Sequence, residues 1–205
     1  AKEQNDRGLV EGGVYIVTGG LGRIGMVLAK RLADLNCKVV LTTRSSFPDK
    51  KTWTDNNCEA TEKKRNIIEQ LLAMDASGAE MLVESLDITS RDAVSGLIRS
   101  TVDRFGRIDG IFHAAGLADL QYLEEMSDDI SKQEFQPKVY GLLNIQNAVE
   151  SLPVDQAPKF VMLFSSMASI LGGYGMTAYA AANRFMDSFV YSLHSDSATK
   201  WICVN

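Results

Sequence analysis

Three side chains near the C-terminal end of the chain could handle a carbonyl group. Ser166 stands thirteen residues before Tyr179, and Asn183 follows Tyr179 by four. Residues four apart in a helix share a face, with about 5–6 Å between their Cβ atoms. A hydroxyl that grips a carbonyl oxygen, opposite a phenol that can protonate it, is a general-acid arrangement. Ser165 is the weaker serine, because it alternates to the other face of its strand. The same stretch, Phe164 to Asn183, also reads as an ordinary buried strand and amphipathic helix with Ser166 in a turn. The rest of the chain must decide.

Elements able to hold these groups alternate regularly. Strands are expected at Val14–Thr18, Lys38–Thr43, Met81–Leu86, Ile108–His113, Lys159–Phe164 and Trp201–Val204. Helical spacing marks Ile24–Leu35, Thr61–Met74, Arg91–Phe105, Asp128–Val149 and Thr177–Leu193, with Pro137 kinking or restarting the fourth. Short continuous apolar runs, each followed by a helix, predict an α/β fold: a Rossmann-like, doubly wound parallel sheet with helices on both faces. At 205 residues the chain suits one domain, with residues 1–11 as a polar linker and 12–205 as the folded unit. Residues 47–62 are polar and turn-rich, and read as a surface insertion that tolerates variation. Trp53 is the one sign that this insertion packs on something.

Composition removes several function classes. A net charge of −5 offers no general attraction to nucleic acid or anionic membrane. Cys37, Cys58 and Cys203 are odd in number and unpaired in spacing, which suits reduced thiols in the cytoplasm and neither a disulfide framework nor a metal site. No apolar stretch reaches a membrane span, and the N-terminus shows no signal-peptide pattern.

Gly20, Gly22 and Gly25 form G-x-G-x-x-G between the first strand and the first helix. Such glycines permit a tight turn and close backbone approach, and the helix N-terminus offers free N–H groups to a pyrophosphate. The second strand ends in Thr43-Arg44-Ser45-Ser46, where many dinucleotide sites carry an acidic residue for the ribose 2′-hydroxyl. A guanidinium beside hydroxyls suits a 2′-phosphate, so NADPH is the expected cofactor. Asp87, followed by Ile88, could bond the adenine amine or cap the helix entered at Ser90; both readings stay open.

TGGLGRIG (Thr18 to Gly25), GRIDGIFHAAG ending at Gly116, FQPKVYG (Phe135 to Gly141) and FSSMASILGGYGMTAYAAANRFMD (Phe164 to Asp187) occur in one order. Together they resemble the short-chain dehydrogenase/reductase superfamily, and within it the ketoreductase domains of modular polyketide synthases and related megasynthases. The resemblance runs from about Gly12 to Asn205. Ordinary short-chain reductases carry Lys four after the Tyr and Asn on the preceding helix. Here Asn183 follows Tyr179 and Lys138 lies on the earlier helix, the exchange that marks megasynthase ketoreductases.

The resemblance implies an NADPH-dependent reduction of a ketoacyl thioester on an acyl carrier protein to a hydroxyacyl thioester. Tyr179 would be the general acid, with Lys138 and the nicotinamide ribose favouring its phenolate. Ser166 would orient the carbonyl, and Asn183 would hold backbone or water for proton resupply. Thr18, Leu21, Arg23, Ile24 and the three glycines would cradle the cofactor, with Arg44, Ser45, Asp87 and Ile88 at its adenosine end. Ala114, Ala115 and Gly116 would let a strand end lie against it, beside Tyr179. His113 reads as structural, and His194 as a helix C-terminal cap. Implied partners are the carrier protein and neighbouring megasynthase domains, including a structural ketoreductase half.

Three departures accompany the resemblance. Arg23 stands where the family has Gly. Ala118-Asp119-Leu120 matches only part of the Leu-Asp-Asp of one stereochemical group, and Leu171 replaces the Trp of the other, so these positions leave the product configuration undecided. The chain ends at a strand that the family follows with a substrate-covering lid, so a C-terminally truncated unit is expected. Two rival readings remain: an inactive, scaffolding reductase-like domain, and a free-standing reductase of small carbonyl compounds, which the Lys138/Asn183 exchange disfavours. A β-keto substrate is the family default, and an α-keto acyl group is the alternative.

Overall fold

The computed structural model describes residues 8–55, 60–117, 122, 124, 127–193 and 198–205, with Asp128 and Ile130 described by backbone alone. Cys58, His194 and the Ala118–Leu120 triplet lie outside these residues. Six strands form one parallel sheet: β1 (Val14–Thr18), β2 (Lys38–Thr43), β3 (Glu80–Ser85), β4 (Gly110–His113), β5 (Phe160–Phe164) and β6 (Lys200–Val204). Their order is β3-β2-β1-β4-β5-β6. The sheet is the one expected, and the helices connect it as crossovers: α1 (Arg23–Ala33), α2 (Glu62–Ala76), α3 (Arg91–Phe105), α4 (Asp128–Phe135), α5 (Gly141–Glu150), α6 (Ala168–Leu171) and α7 (Thr177–Ser192).

Alternation along each strand divides the core in two. Ile16, Val40, Ile111, Val161 and Leu163 pack with α3, α5 and α7 on one face. Tyr15, Val17, Val39, Leu41 and Phe112 pack with α1 and α2 on the other. Both faces are therefore dry, which is why the strands read as continuous apolar runs. The winding reverses between β1 and β4, where Thr18 pairs in register with His113. In open parallel sheets, ligands bind in the crevice outside the carboxyl ends of strands at such a reversal.

Two expectations need correction. The segment from Phe47 is not a loosely held insertion. Trp53 is buried in the α2-side core, its indole N–H donates to Pro48 O at 2.9 Å, and Phe47 meets it edge-on at 6.0 Å. Lys50 ties the segment down through Asp75 at 2.6 Å and Met81 O at 2.8 Å. The expected fourth helix, in turn, is neither broken nor simply kinked at Pro137. One π-helical turn, Gln136–Tyr140, joins α4 to α5, and Gly141 N closes it onto Gln136 O. Proline lacks the N–H that an α-helix needs there, and a widened turn absorbs the loss.

Candidate active site

The glycine turn joins β1 to α1 at the reversal point. Gly19 takes a left-handed φ of 65°, and a Cβ there would meet Ala115 Cα at 2.8 Å. Gly25 sits where α1 crosses the turn, and its Cβ would meet Gly20 Cα and O at 2.5 Å. Gly22, with an ordinary φ of −78°, would put a Cβ no closer than 3.1 Å to any heavy atom. Gly25→Ala is therefore expected to cost about 1–3 kcal/mol by overpacking. Gly22→Ala should leave stability within about 0.5 kcal/mol while weakening dinucleotide binding. Urea denaturation alongside a dinucleotide titration checks the contrast.

No side chain caps α1 at Gly22 and no acidic residue lies in its first turn, so its N–H groups are available to an anion. A cavity of about 610 Å³ opens in front of this turn. Leu21 and Gly22 line it from the turn, Arg44 and Ser45 from the end of β2, and Asp87 and Ile88 from beyond β3. Ala114, Ala115 and Gly116 close it at the end of β4. This cradle fits a nicotinamide dinucleotide, with room for pyrophosphate where Gly22 has no side chain. Thr18, Gly20 and Gly25 do not line the cavity; they are buried behind it, and Arg23 and Ile24 lie exposed on α1. Tyr179 lies outside its lining. Asp87 does not cap α3: Ser90 does so through Ala93 N, while Asp87 Oδ1 accepts from Thr89 N and Oγ1 at 2.9 and 2.8 Å.

Of the residues expected to handle the proton, Lys138 and Tyr179 meet beside the end of β5. Lys138 points inward from the π-turn and is only 6% exposed. Its Nζ donates to Phe164 O at 3.1 Å and lies 5.5 Å from the centre of the Tyr179 ring. Gly116 leaves the space its stem fills, since a Cβ there would meet Lys138 Cε at 2.8 Å. Burial pushes the Lys138 pKa down to about 8, and the Cys203 and Asp187 charges pull it back up. Burial in turn raises Cys203 to about 12, which keeps it a neutral thiol at pH 7. Asp187 is thus the anion that supports the ammonium at neutral pH.

Burial raises Asp187, but the Ser169, Cys203 and Ser165 groups outweigh it and hold the carboxyl below its usual range. Of these contacts, the one from Cys203 Sγ to Oδ1 at 3.1 Å is a well-formed hydrogen bond. The two serines after β5 diverge. Ser165 Oγ donates to Asn183 O at 3.4 Å, whereas Ser166 Oγ accepts from Ala168 N at 3.2 Å and its own O–H finds no acceptor among the described residues. Asn183 is fully buried; its Nδ2 donates to Tyr179 O at 2.7 Å, and its Oδ1 has no partner among the described residues.

His113 positions the lysine turn. A carbonyl only accepts, so Nε2 carries the proton toward Pro137 O at 3.1 Å, and Nδ1 accepts from Thr18 Oγ1 at 2.7 Å. Burial, then the Lys138 charge, lower its pKa from 6.5 to about 3. The folded state holds His113 neutral, while the unfolded chain binds a proton below pH 6.5. Stability therefore falls as pH drops from about 6.5 toward 3. His113→Asn should cost about 1–3 kcal/mol at pH 7 and flatten that acid slope, read from urea midpoints across the range.

A doubly wound sheet with a glycine turn, an inward lysine and a facing tyrosine defines a short-chain dehydrogenase/reductase-type protein. Residues 13–204 match the KR domain model, and the chain belongs to that family of ketoreductase domains. Among curated relatives, it is 35% identical over 179 residues to polyketide synthase PksN of Bacillus subtilis, covering 86% of this chain and 3% of that protein. It is 32% identical over 180 residues to the phthioceranic/hydroxyphthioceranic acid synthase of Mycobacterium tuberculosis, covering 87% of this chain and 8% of the relative. A crystal structure of a ketoreductase domain from the bacillaene assembly line superposes with a TM-score of 0.74 at 32% identity, over 87% of this chain and 39% of that one. The chain thus spans less than a tenth of the length of these synthases.

Proposed function

We propose that the chain is the catalytic part of an NADPH-dependent ketoreductase, reducing a ketoacyl thioester on an acyl carrier protein to a hydroxyacyl thioester. The observation that supports it most is the buried Lys138 ammonium, held by Phe164 O and set against the Tyr179 ring. The reduced nicotinamide, when bound, supplies hydride to the carbonyl carbon. Ser166 donates its O–H to the carbonyl oxygen and holds the bond at a fixed angle. Tyr179 gives its phenolic proton to that oxygen, completing the alcohol. Lys138 balances the negative charge left on the phenol, and solvent returns the proton. The unpartnered Asn183 Oδ1 offers an acceptor for a water on that route.

The reaction takes up one hydride and one proton per ketone. The protein carrying this chain should therefore bleach reduced-nicotinamide absorbance when given NADPH and a carrier-bound ketoacyl thioester, with a hydroxyacyl thioester as product. Bound NADPH without turnover on either β-keto or α-keto thioesters would sink the proposal. Equal rates on free and carrier-bound substrates would favour the small-carbonyl reading instead.

A further inference from the structure

One end of the cavity carries more positive charge than the residues after β2 account for. Lys63 and Lys64, on the first turn of α2, line the same cavity as Arg44 and Ser45. Lys64 Nζ donates to Ser46 O at 2.7 Å, which fixes its ammonium two residues from Arg44, and its other two N–H donors have no partner among the described residues. Arg44 has no ion-pair partner among the described residues. Among the described residues the one carboxylate in the lining, Asp87, spends an oxygen on Thr89. Among the described residues, three cations thus line the pocket with a single, partly committed anion. The folded segment that begins at Phe47 holds this arrangement: Phe47 N bonds to Ser85 Oγ at 3.0 Å and Trp53 anchors it in the core.

We propose that Lys63 and Lys64 are specificity-determining residues that complete, with Arg44, a pocket for the 2′-phosphate of the dinucleotide. Choice of cofactor then depends on the start of α2, and on the Phe47–Trp53 stretch packed near it, as well as on the end of β2. A phosphate monoester carries close to two charges at neutral pH and accepts several hydrogen bonds, so one guanidinium leaves part of that capacity unmet. A 2′-hydroxyl carries no charge and gains nothing from the lysines. Lys64 contributes a positioned donor, and Lys63, exposed at the rim, contributes field.

This inference rests on reading the cavity as a nicotinamide dinucleotide site, and the experiment separates the two. NADPH, NADH, adenosine 2′,5′-bisphosphate and 5′-AMP are titrated into the intact protein carrying the chain, its Lys63→Gln and Lys64→Gln variants, and the double variant. Thermal melting without ligand serves as the fold control. Each single change should weaken NADPH and the bisphosphate about 3- to 10-fold, and the double change about 30-fold, for loss of charge-assisted contacts. NADH and 5′-AMP should shift less than twofold, and the salt dependence of NADPH binding should flatten. A double variant whose NADPH-to-NADH affinity ratio stays within twofold of the parent's overturns the inference and leaves the dinucleotide site standing. A parent that binds NADH as tightly as NADPH also overturns it. A parent that binds neither dinucleotide overturns the reading of the cavity itself. Should Lys64→Gln lower the melting point by loosening Ser46, the exposed Lys63→Gln carries the test alone.

Discussion

Tyr179→Phe should lower the turnover number for ketoacyl thioester reduction by about 10²–10⁴-fold while NADPH binding changes less than threefold. The substitution removes one oxygen and keeps the ring that lies against Lys138, with the ring centre 5.5 Å from Nζ. Packing and the cation–ring contact therefore persist, and only the transferable proton goes. Stopped-flow mixing with excess NADPH reads the chemical step directly, and fluorescence titration reads cofactor binding. A variant that keeps more than a tenth of the parent rate would mean another group protonates the ketone.

Lys138→Met should bring a comparable loss, with a signature in pH that a packing defect would not produce. Burial places the Lys138 pKa near 8. Below that value the ammonium is present to support negative charge on the phenol; above it, the support disappears. The parent rate should therefore fall as pH rises through about 8, and Lys138→Met should be slow and flat across the same window. Stability should move the opposite way. The folded state binds fewer protons than the unfolded chain between about pH 8 and 10.5, so burying this charge subtracts stability at neutral pH and the deficit fades as pH rises through that window. The unlinked cost is on the order of 3 kcal/mol. Lys138→Met, similar in length and uncharged, should accordingly melt no lower than the parent at pH 7. Activity lost together with several degrees of melting temperature would instead assign Lys138 a structural place.

Lys138 also shows why a site needs its neighbours. An inward ammonium survives here because Phe164 O accepts one of its N–H groups, Asp187 supplies an opposing charge, and Gly116 leaves room for the stem. His113 then holds the turn from behind through Pro137 O. Each of these groups comes from a distant part of the chain: His113 on β4, Gly116 just past its end, Phe164 on β5 and Asp187 on α7.

How much of this was legible beforehand differs by element. The ranges of β1, β2 and α3 are those expected, because apolar runs and the Ser90 and Gly106 boundaries are local signals. The short helix α6 escaped notice, since four residues beside paired glycines carry no period. So did the π-turn, because proline in a helical pattern announces a disturbance and not its form. Lys63 and Lys64 carried no signal in the sequence, since nothing in their spacing places α2 beside the end of β2. Trp53 alone hinted that the segment before them was held.

Chain order and residue type were enough, unaided, to set the doubly wound sheet, the glycine turn and the Tyr179–Asn183 face, because strand and helix periods are written locally. The resemblance implied Lys138 beside Tyr179, but the contact itself, like the approach of Lys63 and Lys64 to the Arg44 end of the cavity, belongs to the tertiary structure. The first depends on how a π-turn packs against β4 and β5, and the second on a core formed around Trp53, and long-range packing of this kind has no period in the chain to announce it.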